Sequence, residues 1–550
     1  MAGSPAPIAP RTFTERSEMH RVTDPPLLTV AAIRALEARA MSALPAGALM
    51  DRAAQAVAGA VAERLRRMPA GTPVLALAGP GNNGADALLA ALELARRGWA
   101  IEGLSLSQVA PSSADGTRAW QRWQDGGRAL APPAALDALL VRQPIVIDGL
   151  FGIGLARPLP PPASTIAGRL AAAGSVVVAV DVPSGLDADR GAVVGGPGAV
   201  AIRAEVTVTM IADKPGLHTG AGPAHAGDVR VAGLGTVPDD PGDRGADGDP
   251  DVASPRARGA LIDRDAARRR VVPRARDAHK GRFGDVLIVA GEPSMRGASL
   301  LAALGAQAAG AGRIFVGLAD AHALQARPPE LMTRRLHPAT ERPEAALGTA
   351  QAIVVGCGLG HGATANALLA PTLAHPAALV LDADGLNRIA DTPALRALLA
   401  ARVDSGFATV LTPHPLEAAR LLGTSTAAVQ ADRLASACAL AASTGACVVL
   451  KGAGTVVAEP DGPWTINASG GPILAVAGTG DVLAGTVGGL LATGLPAPDA
   501  ARLGAWLHGA AGDRLAARAD WAGCTGLPAS RLPAAIAATL NRLAGGRFAA

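Results

Sequence analysis

The chain has 550 residues, which is enough for two or three domains of ordinary size. Hydrophobic residues make up 49% of it and charged residues 17%, and the formal net charge of +4 is nearly neutral over this length. There is no block of Lys and Arg with interleaved aromatic residues, which argues against nucleic-acid binding. No apolar run approaches the roughly 18 residues that a membrane helix needs, and the first residues lack the apolar core of a signal peptide. Neither a membrane protein nor a secreted one is predicted.

The spacing of the four cysteines indicates the cellular compartment. They form no CxxC pair and have no zinc-ligand spacing with histidine: Cys357, Cys438, Cys447 and Cys524. This usage is typical of free thiols in a reducing compartment, so we expect a cytoplasmic protein.

One stretch divides the chain into two long regions. Thr236 to Pro255 is rich in Asp, Gly and Pro and has no apolar periodicity, which is typical of a linker. We therefore predict a disordered leader over residues 1–24, a first domain over 25–235, a linker over 236–258 and a second domain over 259–545.

Apolar strands alternate with helical patterns in the first domain. In chain order the predicted elements are helices Thr29–Ala40 and Leu49–Arg67, strand Pro73–Ala78, helix Ala85–Arg97, and strands Pro144–Ile147, Val176–Val180 and Val206–Ile211. This alternation predicts an α/β domain with a parallel sheet covered on both faces.

Three of these strands are followed by polar or glycine-rich segments. The segments are GPGNNGAD from Gly79, DGLFGIG from Asp148 and DVPSGLD from Asp181. A single glycine loop is usually a tight turn, and an Asp after a strand is often a helix N-cap. Three such features at successive strand ends of one sheet instead predict a ligand site, because ligands bind beyond the carboxyl ends of the strands.

These segments resemble the YjeF N-terminal family, the NAD(P)H-hydrate epimerases, which implies a Rossmann-like αβα sandwich. The resemblance implies that Asn83, Asp148 and Ser184 bind K⁺, a hard cation suited to oxygen ligands. Asp181 resembles the residue nearest the reacting ring, and our hypothesis is that it acts as acid or base or stabilises positive charge. The implied dinucleotide contacts are Asn82, Asn83, Gly84, Ala85, Asp86, Gly152, Ile153, Gly154, Leu155, Ala156, Arg157, Pro158 and Asp181.

The first motif departs from the family's pattern at two positions. Ala85 and Ala87 stand where the family usually has glycine. If either position needs a positive φ, the added methyl group strains a loop. If both lie in a helix, the change is harmless.

The second domain shows the same alternation of strands and helices. The predicted strands are Val286–Ala290, Ile314–Val316, Ala352–Val355, Ala378–Leu381, Thr409–Leu411 and Val448–Leu450, and the region from Asp481 is predicted to be helical. Gly478-Thr479-Gly480-Asp481 opens that helical region. Such a tetrad either is an ordinary helix start or places amide groups around a transferring phosphoryl group, with the carboxylate as general base.

Further segments follow the other strands of this domain. They are GCGLG from Gly356, LDADGLN from Leu381, LTPHPLE from Leu411 and LKGAGT from Leu450. With the tetrad they resemble the ADP-dependent NAD(P)H-hydrate dehydratases, a branch of the ribokinase-like αβα fold. The resemblance implies that Lys451, Gly452, Ala453, Gly454, Thr455 and Gly480 bind the adenine nucleotide, and that Ser299, Gly358, His414 and Asp481 contact the hydrate, with Asp481 as base.

The two resemblances together imply one repair pathway for hydrated NADH and NADPH. The first domain would interconvert the R and S hydrates. The second would transfer a phosphoryl group from ADP to the ring hydroxyl of the S hydrate, and loss of phosphate would restore NAD(P)H and leave AMP. Mg²⁺ is expected for phosphoryl transfer on general grounds. The expected partners are these small molecules, with no nucleic acid or membrane, and a homo-oligomer stays open.

Two other readings stay open on the residues alone. A ribokinase-like small-molecule kinase would share the Gly-Thr-Gly-Asp tetrad. The first domain could also be a non-catalytic binding module, because fold alone does not give function.

Overall fold

The computed structural model describes residues 24–107, 109–111, 113–236, 258–318, 328–336 and 347–545. The predicted leader (1–24) and the predicted linker (236–258) lie outside the described residues except at their end positions. Among the described helices, none is both long enough and apolar enough to cross a membrane.

The strands belong to two sheets. In chain order they are β1 (Pro26–Leu28), β2 (Val74–Ala78), β3 (Ile101–Ser105), β4 (Ile145–Gly149), β5 (Val177–Val180), β6 (Val206–Met210), β7 (Asp228–Ala232), β8 (Arg258–Ile262), β9 (Asp285–Val289), β10 (Arg313–Leu318), β11 (Met332–Arg335), β12 (Ala352–Val355), β13 (Ala378–Leu381), β14 (Thr409–Leu411), β15 (Cys447–Leu450), β16 (Val456–Ala458) and β17 (Trp464–Asn467).

The smaller sheet has the order β3-β2-β4-β5-β6-β7 and its pairs are parallel. The larger sheet has the order β1-β8-β17-β16-β15-β14-β13-β12-β9-β10-β11. It is parallel from β15 to β11, and antiparallel pairs join β15 to β16, β16 to β17 and β1 to β8.

Helices cover the faces of both sheets. They are α1 (Val30–Ala43), α2 (Ala48–Leu65), α3 (Asn82–Arg96), α4 (Ala114–Asp125), α5 (Leu136–Leu140), α6 (Pro161–Ala172), α7 (Gly222–His225), α8 (Arg264–Arg269), α9 (Arg296–Ala308), α10 (Ala363–Ala374), α11 (Ala383–Asp391), α12 (Pro393–Asp404), α13 (Pro415–Leu422), α14 (Thr426–Ala431), α15 (Arg433–Thr444), α16 (Thr479–Ala492), α17 (Ala497–Ala516) and α18 (Leu532–Ala544). The predicted fold class, two α/β domains with helices on both faces of a sheet, is confirmed.

Alternation along the buried strands produces a core on each face. Val74 and Ala76 of β2 join the core beneath α2 and α3, whereas Leu75 and Leu77 face the opposite core with α6. These four side chains are fully buried, and burying a leucine contributes about 1.5–3 kcal/mol. Continuous apolar runs therefore form the central strands, as a sheet covered on both faces requires.

Each sheet has a crevice at the point where successive strands change from one side of a central strand to the other. In the smaller sheet the chain passes from β2 outward to β3 and then returns to β4 on the other side of β2. In the larger sheet β9 is followed outward by β10 and β11, and β12 then lies on its other side. The segments after β2 and β4, and those after β9 and β12, thus meet at positions where open α/β sheets bind ligands.

The structure differs from the sequence prediction at the start of α3. Asn82 to Asp86 are not a loop, because the helix begins at Asn82 with the extended Gly81 as its N-cap. Ala85 and Ala87 lie within α3 and are absent from the residues with positive φ. The methyl groups therefore lie in a helix and strain no loop. Of the two alternatives, the one in which both positions are helical and the change is harmless is correct.

The chain crosses between the sheets at its beginning. Strand β1 lies at the start of the predicted first domain (25–235) but pairs antiparallel with β8 of the larger sheet. Leu27 is fully buried and packs in the core of the second domain. Asp24 forms ion pairs with Arg269 and Arg270, each at 2.5 Å, and these guanidinium groups lower the pKa of Asp24 against the effect of burial.

Candidate active sites

A cavity of about 780 Å³ lies at the crevice of the smaller sheet. It is lined by predicted residues from three strand ends: Asn82, Asn83, Asp86, Gly152, Ile153, Gly154, Leu155 and Asp181. Gly84, Ala85, Ala156, Arg157 and Pro158, which the sequence also assigned to the dinucleotide, are not among its lining residues. Of these, Gly84 and Ala85 are buried in α3, and Ala156 lines a second cavity between the domains. A Cβ on Gly79 would lie 1.7 Å from Leu150 O, so only glycine allows this close approach of the segments after β2 and β4.

Asp148 and Ser184 are joined by hydrogen bonds beside this cavity. The Ser184 hydroxyl donates to Asp148 Oδ1 at 2.7 Å, and the Ser184 backbone N–H donates to Oδ2 at 2.8 Å. Both residues are fully buried, and burial raises the pKa of Asp148 to about 6 although these bonds oppose it. Asn83 follows β2 nearby, and its amide donates to Val180 O at 2.7 Å, which fixes the orientation of its side chain.

Asp181 is held by a buried lysine that was not assigned to the site from the sequence. Lys214 Nζ donates to Asp181 Oδ1 at 2.7 Å and to Thr209 Oγ1 at 2.7 Å, and the ammonium group is fully buried. Met210 N also donates to Asp181 Oδ1 at 3.0 Å. Asp181 has a φ of 65°, an uncommon value for a non-glycine residue, and such values are enriched at functional sites. The signal in the sequence was the position of Lys214 just after β6, at the same sheet edge.

Two further carboxyl groups line the cavity, and the pKa of each is raised. Burial raises the pKa of Asp86 well above its ordinary value, and the charges of Asp181 and Glu37 add to this effect. Among the described residues, Asp86 Oδ1 has no hydrogen-bond partner. Burial, followed by the charge of Asp181, also raises the pKa of Glu37. Glu37 was missed because it lies on α1, far from the strand ends in sequence. The cavity thus combines an ion-paired carboxylate with a buried carboxyl group whose pKa is raised.

The second site lies at the carboxyl ends of the larger sheet. Ligand atoms of Cys357, Asp382 and Asp481 lie within 4.8 Å of one another. Lys451 Nζ donates to Asp382 Oδ1 at 2.6 Å, and Asp481 is in the first turn of α16. Burial, followed by the charge of Asp382, raises the pKa of Asp481 to about 6. Burial also raises the pKa of the Cys357 thiol, which stays neutral. Asp382 was not singled out from the sequence, although it follows β13 directly.

His414 takes a structural position at the N-terminus of α13. Its Nδ1 accepts hydrogen bonds from Leu416 N at 3.1 Å and Glu417 N at 3.3 Å, and Glu417 Oε2 accepts from His414 N at 2.7 Å. Burial, followed by the charge of Lys451, lowers the pKa of His414, so the ring is neutral. Burial raises the pKa of Glu417 to about 7. His414 therefore caps a helix and stands with Glu417 beside the Lys451–Asp382 pair.

The other predicted contacts of this site have distinct surroundings. Gly358 has a φ of 71°, and its carbonyl accepts from Gly291 N at 3.1 Å, next to the crevice. Ser299 is fully buried, and its hydroxyl donates to Arg296 O at 2.8 Å within α9 rather than toward an open site. His508, which the sequence did not assign to the site, donates from Nε2 to Thr479 O at 2.9 Å and so holds the start of α16.

The segment from Lys451 to Thr455 belongs to the second domain and contacts the first. It follows β15, and its middle residues Gly452 and Gly454 have φ values of 140° and 58°. Gly220 N of the first domain donates to Ala453 O at 3.1 Å. Gly480 lies close by, because a Cβ built on it would be 3.3 Å from Lys451 Nζ. All the nucleotide contacts that the sequence predicted thus lie in one region.

Comparisons with known proteins agree with this division. The family model of the YjeF-related protein N-terminus matches residues 46–216, and the one described as NAD(P)H-hydrate dehydratase matches residues 286–533. The ADP-dependent (S)-NAD(P)H-hydrate dehydratase of Neisseria meningitidis is 46% identical over 245 residues, which cover 44% of this chain and 80% of that protein. An ADP/ATP-dependent NAD(P)H-hydrate dehydratase structure from Bacillus subtilis has 29% identity and a TM-score of 0.44, over 52% of this chain and 99% of that one.

The similarity to one two-domain relative runs along nearly the whole chain. The bifunctional NAD(P)H-hydrate repair enzyme Nnr of Coxiella burnetii is 34% identical over 503 residues, which cover 88% of this chain and 93% of that protein. Since both family models match and this relative is 34% identical over most of both chains, the chain belongs to the family of the bifunctional NAD(P)H-hydrate repair enzymes.

Proposed function

We propose that this protein repairs hydrated NADH and NADPH in two steps, with one site in each domain. The first domain, residues 25–235, epimerises the R and S hydrates, and the second, residues 259–545, dehydrates the S hydrate at the expense of ADP. The observation that carries the proposal is the presence, beside family matches along both domains, of two separate acidic sites at the strand ends of two sheets. The alternative, a small-molecule kinase fused to a non-catalytic binding module, does not account for Asp86 and Asp181 in the first cavity.

In the epimerase site, the residues divide into an acid and a charge stabiliser. Asp86, whose pKa is raised by burial, donates a proton to the hydroxyl on the hydrated ring carbon, and the lone pair of the ring nitrogen expels water. The planar cation that results lies near the Asp181 carboxylate, which Lys214 holds in place at 2.7 Å. Water then adds to either face and returns the proton to Asp86, so both epimers form. In this scheme Asn82 and Asn83 bind the substrate, together with the segment from Gly152 to Leu155, which also lines the cavity.

Asn83, Asp148 and Ser184 fit a bound K⁺ by the chemistry of their donors. All three offer oxygen atoms, and the Asp148 carboxylate is fully buried, where a cation would compensate its charge. When bound, K⁺ would supply positive charge that favours binding of the negatively charged dinucleotide. We expect epimerisation to be faster in KCl than in LiCl at equal ionic strength, and Asp148→Asn to abolish that difference. Equal rates of the native protein in both salts would contradict the assignment.

In the dehydratase site, Asp481 is the general base. Its carboxylate takes the proton of the ring hydroxyl as that oxygen attacks the β-phosphorus of ADP, and AMP departs. The C–O bond to the new phosphate ester then breaks with help from the ring nitrogen. Loss of a proton from the adjacent carbon forms the double bond of NAD(P)H. Phosphorylation matters because hydroxide is a poor leaving group, whereas phosphate is a good one.

The groups around Asp481 support the phosphoryl transfer. The amides at the start of α16, at Gly480, face the transferring group and stabilise its charge. Lys451 and the segment to Thr455 bind the nucleotide, and Gly358 and His414 stand at the hydrate. Asp382 has the carboxylate oxygens that fit Mg²⁺, and this ion would neutralise phosphate charge when bound with the nucleotide. We also assign the protein to the cytoplasm on its four free cysteines.

The proposal is tested with a mixture of R and S NADH hydrate and ADP, following the absorbance of restored NADH. The native protein should convert the whole mixture. Asp481→Ala should form no NADH, and Asp181→Ala should stop once the S fraction is consumed, provided the assay is fast relative to spontaneous epimerisation. Failure of the native protein to form NADH with ADP or ATP would overturn the proposal.

A further inference from the structure

The nucleotide segment of the second domain is bound by a short stretch of the first domain. Thr219 Oγ1 donates to Gly454 O at 2.9 Å, and Gly220 N donates to Ala453 O at 3.1 Å. The two backbones are in direct contact, because a Cβ on Gly454 would lie 1.8 Å from His218 O. With a φ of 58° as well, this position requires glycine.

A buried arginine extends this contact into the second domain. The Arg433 side chain is 1% exposed, and its Nε donates to Thr219 Oγ1 at 3.2 Å. Its Nη2 donates to Leu450 O at 3.2 Å and to Lys451 O at 3.1 Å. Burial lowers the pKa of Arg433 to about 10, so the guanidinium stays charged at neutral pH. The Thr219 hydroxyl thus accepts a hydrogen bond from Arg433, which binds the end of β15. The same hydroxyl donates a hydrogen bond to Gly454, in the segment that follows β15.

The direction of these bonds decides which atoms are left for a ligand. In a trans peptide the C=O and N–H groups point in opposite directions, and no described peptide bond is cis. The carbonyls of Ala453 and Gly454 point at the first domain, so the N–H groups of Gly454 and Thr455 point away from it. Backbone N–H groups on that side are suitable donors to a nucleotide.

Without the first domain, this glycine-rich segment would have to be ordered at the moment of binding. Fixing the backbone of one residue costs about 1–2 kcal/mol, and contacts that order a site in advance improve affinity by removing that cost. Thr219 and Gly220 make such contacts with the carbonyls of Gly454 and Ala453. Their effect should therefore be on affinity for the nucleotide rather than on the chemical step.

We propose that Thr219 of the epimerase domain is a positioning residue for the nucleotide site of the dehydratase domain, acting through the carbonyl of Gly454 and the guanidinium of Arg433. The inference rests on the proposed assignment of Lys451 to Thr455 to ADP. It makes the first domain a structural part of the second active site.

The test is steady-state kinetics of the full chain with S hydrate over a range of ADP concentrations. Thr219→Val removes the hydroxyl at nearly the same volume, and each lost hydrogen bond costs on the order of 1 kcal/mol. We expect the KM for ADP to rise by roughly 5- to 20-fold, with kcat within twofold and epimerisation unchanged. Thr219→Ser should restore the native KM. Thr219→Ala is a second variant if valine disturbs the fold, which the epimerase rate and the melting temperature would report.

Two control variants separate the explanations. Arg190→Ala breaks the ion pair between Arg190 Nε and Asp432 Oδ2, 3.2 Å apart, a second contact between the domains whose loss leaves the bonds of Thr219 and Arg433 to the segment in place. It should leave the KM for ADP unchanged, and an equal rise would overturn the inference in favour of general loosening. Ala453→Glu places a carboxylate in the segment and should raise the KM strongly. If it does so while Thr219→Val and Thr219→Ala do not, only the inference fails. If Ala453→Glu has no effect, the nucleotide assignment fails with it.

Discussion

Asp481 has to be ionised to accept the hydroxyl proton, and its surroundings set the pKa of its carboxyl group. Burial and the nearby Asp382 raise its pKa to about 6. As pH falls through that value the carboxylate binds a proton, so kcat/KM for dehydration should fall about tenfold per pH unit below it and be level above it. Dehydration rates measured with pure S hydrate between pH 5 and 8 check this. A dehydration rate independent of pH over that range would exclude Asp481 as the base.

Lys214 is the residue whose loss should separate the two activities. Lys214→Met removes the buried charge that pairs with Asp181 and leaves that carboxylate close to Asp86 and Glu37. We expect epimerisation to fall by at least about 100-fold and dehydration of pure S hydrate to persist. Breaking a buried pair should also lower the free energy of unfolding by about 3–5 kcal/mol.

The matched control for this variant is Lys280→Met, because Lys280 is exposed. It should change neither rate nor stability. If Lys214→Met epimerises normally, Asp181 does not need its partner, and the charge assignment in that site is wrong.

At the scale of single elements, α3 is the helix whose start forms the epimerase cavity. Ala85 and Ala87 lie inside it, where alanine is favoured over glycine. Restoring the family's glycine by Ala85→Gly should lower the free energy of unfolding by about 0.5–1 kcal/mol and should not raise the epimerisation rate. Urea denaturation and the R-to-S rate check both parts, and a faster enzyme would show that the methyl group hinders the substrate.

The elements also show where prediction from sequence succeeds. Central strands such as β2, β12 and β13 were predicted because buried parallel strands are short apolar runs between glycine or polar breaks. Strand β3 (Ile101–Ser105) and strand β7 (Asp228–Ala232) were missed. Both are edge strands with charged residues, so they lack the apolar run. Strand β1 has only three residues, and its partner lies more than two hundred residues away in sequence.

At the scale of the whole molecule, that short strand ties the beginning of the chain to the second domain. Leu27→Ala should destabilise the second domain by about 2–5 kcal/mol, although Leu27 falls within the predicted first domain, because the side chain fills the core of the larger sheet. After heating, dehydration should be lost at a lower temperature than in the native protein, while epimerisation is affected less.

Val141→Ala is the control for this variant, since Val141 is 80% exposed. It should leave both activities as heat-stable as in the native protein. Loss of the epimerase first in Leu27→Ala would show that β1 supports the first domain instead.

The sequence by itself determined the two α/β domains, the family, and the strand-end segments that hold Asp181, Asp481 and Lys451. It could do so because periodicity and motif spacing are local properties of the chain. Only the tertiary structure decided that Lys214 pairs with Asp181, that Glu37 joins the epimerase cavity, and that Thr219 of one domain holds the nucleotide segment of the other. These relations join residues on different elements, and the charge of a buried carboxyl depends on neighbours that only folding brings within a few ångströms.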